Sequence, residues 1–463
     1  MLNILNILKP KIDKDQIAEL LGTNPEFLEK FENAYSKISI DDHEHINAKQ
    51  MAALKRNNTD TCPELTERIV SELIHGTKVY EYKKGKDSAY SIIETSSLPS
   101  EYVSKEEILS VPEEIRPELS GNLIKKDITG NSYETLLTTY MQMLNAKNES
   151  KKKNLYNTFR QGLDILDIDP VIYQMLSMNK NSMGYWLPKI APMIEKEGFF
   201  KIPDTKIAKV PIPMLQLTRL DYMSHTRTTL DIVDKWAEKV FDLDTNKKYF
   251  IKTGTYSSKF DFRNAKITDP NEIKEIGEYL LFIHSQAISM AHYDLSGRNR
   301  RPIYGVSTTN EWVVREFIED EDNEKFTIYH GLPLHTEYRV FVDFDKKSVL
   351  GIHSYWDPDV LKNHFGNSDT PDALHDYVTY TAQEPKLTER YNQNKNTVVS
   401  HIEKMLENNT ELNGQWSIDI MQNNNTFWMI DMALAENSAF YDTTVPIELR
   451  NPSKENWIPK LKM

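Results

Sequence analysis

Near its end the chain reads W-S-I-D-I-M-Q-N-N-N-T-F-W-M-I-D-M-A-L-A-E-N, from Trp416 to Asn437. Two runs rich in β-branched, aromatic and other apolar residues flank Asn423, Asn424 and Asn425, which tolerate the positive φ of a tight turn, so a β-hairpin is expected. Each run carries one carboxylate, Asp419 and Asp431. A loop made of all three asparagines pairs Ser417 with Asp431 and Asp419 with Met429, which sets the two acids diagonally on one face. A two-residue turn shifts the register and sends them to opposite faces. Side by side in a sheet, two carboxylates repel and are costly to desolvate, so they need a cation or a shared proton. Mg2+ or Mn2+, with its preference for hard oxygen ligands and phosphates, is the natural partner. Glu436 and Asn437 follow closely enough to complete the shell. In the alternative arrangement one Asp faces solvent and the other caps the following segment.

A chain of 463 residues exceeds one ordinary core, which points to two or three domains. Hydrophobic residues make up 39%, enough for packed cores. The formal charge of −13 counts against a general nucleic-acid or anionic-membrane surface, because phosphate binding needs an excess of Lys and Arg. With Cys62 as its sole cysteine, the chain has no internal disulfide or thiolate cluster. Its start lacks a basic leader with a long apolar core, and no stretch approaches a membrane span, so a cytoplasmic protein without a membrane partner is expected.

Helical spacing recurs at 13–37, Leu65–Leu73 and Tyr133–Leu144, and residues 1–150 read as a helix-rich domain. His43 and His45 in D-D-H-E-H lack a third ligand and read as a solvated acidic turn. From Lys151 the composition shifts to methionine, aromatic and proline residues, followed by an apolar run at 209–217 and an amphipathic helix at Thr229–Phe241. Asp269-Pro270 opens a further helix, with Asp as cap and Pro in the first turn. Arg298, Arg300 and Arg301 form a basic loop.

The strand Lys247–Lys252 ends in a lysine and enters T-G-T-Y-S-S-K-F-D. Lys252 can reach a phosphate there while Ser257 and Ser258 and backbone N–H groups cover it, although no P-loop signature is present. In W-V-V-R-E-F-I-E, Arg315 shares a face with Val313 and Phe317. The strand T-E-Y-R-V-F-V-D-F puts Glu337, Arg339, Phe341 and Asp343 on one face, with a return strand in S-V-L-G-I-H-S-Y. An arginine inside an apolar strand must find an anion, because an unpaired buried guanidinium is very unfavourable. Either internal carboxylates supply it, or a polyphosphate with its metal does.

These residues resemble the ATP-grasp superfamily, and more narrowly the divergent clade named for two arginines and one lysine, related to the cell division cycle protein 123 family and including many phage-encoded members. Lys252 in Y-F-I-K and the following S-S-K-F-D match the clade's lysine strand and loop. Arg315 in V-V-R-E-F-I and Arg339 in T-E-Y-R-V-F-V match its two arginines. Asp419 and Asp431 match its late metal-binding acids. The match runs from about Tyr249 to Asn437, with the segment from about Gly184 resembling the preceding subdomain. One departure is Ala433, which stands where the pattern has asparagine, so Glu436 or Asn437 must substitute if a third protein ligand exists.

The resemblance implies an α+β ATP-grasp fold: linker and N-terminal subdomain over 151–245, nucleotide-binding and catalytic core over 246–450, and a tail at 451–463. ATP and Mg2+ (or Mn2+) are the implied cofactors. Adenine would lie beside a hinge at Glu316, Phe317 and Ile318, with Glu319 accepting from the ribose. Lys252, Arg315 and Arg339 would neutralise phosphates, and Asp419, Asp431 and Glu436 or Asn437 would hold metal. The implied activity is ATP-dependent ligation, in which a carboxylate, of a peptide or protein among others, becomes an acylphosphate that an amine attacks. A phage-encoded member would act in the host cytoplasm. The competing readings are an ATP-binding assembly factor, an ATP-dependent nucleic-acid end-joining or modifying enzyme, and a structural virion or interaction protein with a degenerate site.

Overall fold

The computed structural model describes residues 61–86, 89–93, 103–118, 176–218, 225–294, 309–322, 327–361 and 371–438, with isolated positions between 142 and 173. The expected helix at 13–37, the His43 and His45 turn, most of 133–144, the Arg298–Arg301 loop and the tail lie outside them. The architecture is mixed α+β. One sheet has six strands, in the order β2 (Tyr90–Ile92), β1 (Lys78–Tyr82), β4 (Thr205–Lys209), β7 (Glu311–Glu316), β5 (Tyr249–Thr253) and β6 (Lys266–Ile267). The second has five, in the order β11 (Ser348–Ser354), β10 (Thr336–Asp343), β12 (Gln415–Asn423), β13 (Thr426–Leu434) and β3 (Phe200–Lys201). A small ribbon pairs β8 (Thr327–Ile328) with β9 (Leu332–Pro333). Strands β1 and β2 sit in a region whose sequence reads as mainly helical. K-V-Y-E-Y buries both faces of its strand, Val79 on one side and Tyr80 and Tyr82 on the other.

Alternation along each strand decides which layer it faces. On β7, Trp312 and Val314 join the core beneath α1 (Pro63–Ile74), α3 (Arg227–Phe241) and α4 (Ile276–Asp294), whereas Val313 and Arg315 point to the other side. On β10, Tyr338, Val340 and Val342 pack against α2 (Met183–Glu197) and α5 (Pro371–Glu407), leaving Glu337 and Arg339 on the opposite face. The helix expected from Asp269 divides in two. Asp269 and Glu272 close a capping box on Pro270–Lys274, the chain leaves helical geometry at Glu275, and α4 starts anew at Ile276.

The C-terminal hairpin corrects both readings of its register. Its turn has two residues, since Asn423 pairs with Thr426, and Asn424 takes the positive φ of 51°. Regular pairing from such a turn would separate the acids. A bulge intervenes: Ile420 pairs with Met429 and Asp419 with Asp431, so Ile430 is the extra residue of β13. The bulge absorbs one residue and returns Asp431 to Asp419's face, directly opposite it rather than diagonal to it.

Candidate functional site: a cleft between the two sheets

The cleft encloses about 920 Å3 of empty space, its open mouth included. One part is apolar, walled by Phe250, Phe262, Phe317, Ile318, Met421 and Ile430. Phe250 stacks on Phe262 with ring centroids 5.8 Å apart, and Phe262 leans on Phe317 at 6.2 Å. The other part is charged, with Lys252 and Lys259 on one side and Glu337, Asp419 and Asp431 on the other.

Of the residues singled out in the sequence, Lys252, Ser257, Arg315, Glu316, Phe317, Ile318, Asp419 and Asp431 line this cleft. Arg339 stands beside it: its Nε and Nη2 donate to the two oxygens of Asp419 at 2.8 and 2.7 Å, and its guanidinium lies 4.6 Å from the Tyr355 ring centre. Lys252 Nζ, only 2% exposed, crosses from the first sheet to Asp431 of the second, at 3.3 and 3.2 Å from its two oxygens. Each member of the facing acid pair is therefore matched by one cation. That pairing removes the penalty of like charges set opposite one another.

Three further residues, Ser258, Glu319 and Asn437, lie off the lining. Ser258 is buried beneath the loop, donating to Gln286 Oε1 at 3.2 Å. Glu319 pairs with Lys248 at 2.6 Å, and Asn437 Oδ1 accepts from Asn181 Nδ2 at 2.8 Å. Glu436 has its backbone in the 3-10 turn Ala435–Asn437, and its side chain is outside the described residues. Ala433 pairs with Ser417 on the acids' side of the ribbon and brings no ligand atom.

Sequence reasoning passed over two cleft residues. Lys259 places its ammonium 4.2 Å from the Tyr355 ring centre and 5.4 Å from that of Phe260, within the electrostatic reach of Glu337, Asp419 and Asp431. Burial pushes this lysine below its ordinary pKa, with Glu337 opposing the shift. Burial likewise pushes the Glu337 carboxyl above its ordinary range, with Lys259 opposing. The S-S-K-F-D loop and the shared face of Glu337 and Arg339 were the available signals. His335, 3.6 Å from Asp322, also borders the cleft, while Asp322 is gripped bidentately by Arg390 at 2.8 and 2.9 Å.

The loop that carries Lys259 is clasped to the far side. Phe262 N–H donates to Tyr329 O at 2.9 Å, and Tyr329 N–H to Asp376 Oδ2 at 3.0 Å. His330 bridges Asp261 at 3.3 Å and Asp372 at 3.2 Å. The neighbouring Asp261 carboxylate raises the His330 pKa, against burial and Arg263. A raised folded-state pKa means this contribution is complete below the unfolded histidine value of about 6.5 and fades as pH rises through the folded one. For Asp261, burial acts upward, but the nearby His330 and the bonds from Arg263 outweigh it and hold the pKa low. Its share is accordingly lost only in acid, below about 3.9. The melting-temperature gap between wild type and His330→Gln should narrow steadily from pH 6 to pH 9. A constant gap would show that the imidazolium charge does not hold the clasp.

Two carboxylates, Asp419 and Asp431, face each other across a ribbon and Asp431 is 42% exposed, a pair that suits a divalent cation drawing its other ligands from elsewhere. Among the described residues, the acids and histidine whose ligand atoms lie close enough together to share one ion are Asp320, Asp322 and His335.

No family model and no curated protein matches the chain. Among the described residues, no helix is long and apolar enough to cross a membrane. Solved structures similar to the chain include two of Cdc123. The C-terminally truncated Cdc123 from Schizosaccharomyces pombe matches at 13% identity with a TM-score of 0.31, over 61% of this chain and 94% of that one. Cdc123 from the same organism matches at 13% identity with a TM-score of 0.29, over 56% and 84%. At that identity and those scores, the likeness is distant and carries no weight for activity.

Proposed function

We propose that the cleft binds ATP with Mg2+ and that the protein is an ATP-dependent ligase of the ATP-grasp type, activating a carboxylate of a peptide or protein for attack by an amine. The carrying observation is the junction, in one cleft, of an aromatic slot with Lys252, Lys259 and the facing acids Asp419 and Asp431, with Arg339 beside it on Asp419. Phe250, Phe262 and Phe317 offer flat apolar walls suited to a purine. The Glu316 and Phe317 amides are committed to the carbonyls of Asp204 and Lys248, which leaves reading of the base edge to the chain from Ile318 onward.

Lys252, Lys259 and Arg339 bring positive charge to bear on a polyphosphate. Asp419 and Asp431 would hold Mg2+, which when bound neutralises phosphate charge and orients the transferred group. Binding requires Asp431 and Asp419 to exchange their present cations for metal, and frees Lys252 and Arg339 for phosphate. The Lys259 loop, clasped through His330, covers the charged end and excludes the water that would hydrolyse an acylphosphate.

Incubation of the protein with γ-labelled ATP and Mg2+ in host lysate, followed by mass spectrometry of nucleotide and protein products, tests this reading. ADP together with an amide-type mass increase is expected. Nucleotide bound but unconsumed would replace catalysis with an assembly role, and AMP with a joined nucleic acid would place the reaction in a different class.

A further inference from the structure

Ile430 has no partner across the β12–β13 ladder, so its carbonyl needs a donor from elsewhere. Arg315 provides it. From the middle of the other sheet, its Nη1 donates to Ile430 O at 2.5 Å and its Nη2 to Met429 O at 3.5 Å, while Nε donates to Thr205 Oγ1 at 3.3 Å. The residue is 4% exposed. Burial depresses its pKa to about 10, with Asp431 opposing, and the guanidinium stays charged at neutral pH. A buried arginine turns both of its terminal nitrogens on two backbone carbonyls, and those carbonyls flank the irregularity that turns Asp431 toward Asp419.

We infer that Arg315 is a positioning residue: it pins the Ile430 bulge, thereby holds Asp431 opposite Asp419, and so sets the affinity of the acid pair for a divalent cation rather than serving mainly as a phosphate ligand. The Ile430 carbonyl is immediately before Asp431, and the Asp431 carboxylate in turn accepts from the next amide, Met432 N, at 3.0 Å. A shift of the bulge therefore moves the ligand oxygens themselves. The inference deepens the proposed function, but its metal arm can be judged without nucleotide.

The test uses the full chain. Mn2+ is titrated by the loss of its free electron-resonance signal in the absence of nucleotide, and a fluorescent ATP analogue is titrated separately in EDTA. Arg315→Gln should weaken Mn2+ binding by about tenfold, the size of effect seen when support behind a metal ligand is removed. Metal-free nucleotide affinity should stay within about twofold. Arg315→Lys, which keeps the charge and loses the fork, should recover part of the Mn2+ affinity. Faster hydrogen exchange at the Met432 amide should accompany the weaker binding. If Arg315→Gln does not fold, Arg315→Lys carries the same comparison with a smaller expected loss. Mn2+ affinity unchanged within about threefold in the folded variant overturns the inference, as does failure of the wild type to bind Mn2+. Wild-type binding of Mn2+ without any binding of the ATP analogue instead defeats the nucleotide reading and leaves the positioning role standing.

Discussion

Asp431→Asn is expected to reduce ATP turnover by at least about 100-fold while the protein remains folded. A bound divalent ion supplies several kcal/mol of charge stabilisation to phosphoryl transfer, and each ~1.4 kcal/mol is a factor of ten in rate. The amide keeps the shape and one acceptor oxygen but loses the charge that, in the proposed site, would hold a cation opposite Asp419. It also leaves the buried Lys252 ammonium without its carboxylate, 3.2 Å away in the wild type. The amide oxygen can still accept from Lys252 Nζ, which limits that loss, and the fold survives. Steady-state ADP release with circular dichroism on the same sample decides the matter. Full activity in a folded Asn variant would remove Asp431 from the metal site.

The largest effect on stability should come from Gly277→Ala, far from the cleft. A Cβ at this position would lie 2.3 Å from the Val233 carbonyl oxygen and 2.9 Å from the Asp234 Cα, both backbone atoms of α3 that no rotamer change can move aside. Alanine gains about 1 kcal/mol over glycine in helix propensity. The forced separation of α3 from α4 opposes it and strains the bond from Glu278 N–H to Asp234 Oδ1 at 2.7 Å. Overpacking of this kind costs about 1–3 kcal/mol, more where backbone must yield, so a net loss of roughly 2 kcal/mol is expected in a denaturant titration. Because Leu280 and Ile283 of α4 pack in the same core as Ile251, the disturbance reaches the strand that presents Lys252. Unchanged or raised stability would mean that the helix pair has room to relax.

Period-two alternation was legible wherever a strand was long enough to display it. It placed Glu337 with Arg339 and set Arg315 on a face of its own strand, because side-chain direction follows from position parity alone. The caps at Asp269 and Pro270 were equally readable, since they depend on residues within one turn. Lys259 as a cleft residue was not, because its value lies in contacts with Tyr355 and Glu337, which come from strands and loops far along the chain. The break at Glu275 and the need for glycine at 277 were likewise hidden, being imposed by the neighbouring helix.

By itself the sequence determined that two carboxylates would stand in one terminal ribbon and that three basic residues would leave separate strands, because residue type and local periodicity are carried by the chain. Whether those acids face each other was decided only by the tertiary structure. A two-residue turn alone would have parted them; the bulge at Ile430 reunites them, and the donors that satisfy its carbonyl arrive from Arg315 in the other sheet. An extra residue in a ladder is stable only where an outside partner answers its unpaired carbonyl, and such a partner has no local signature.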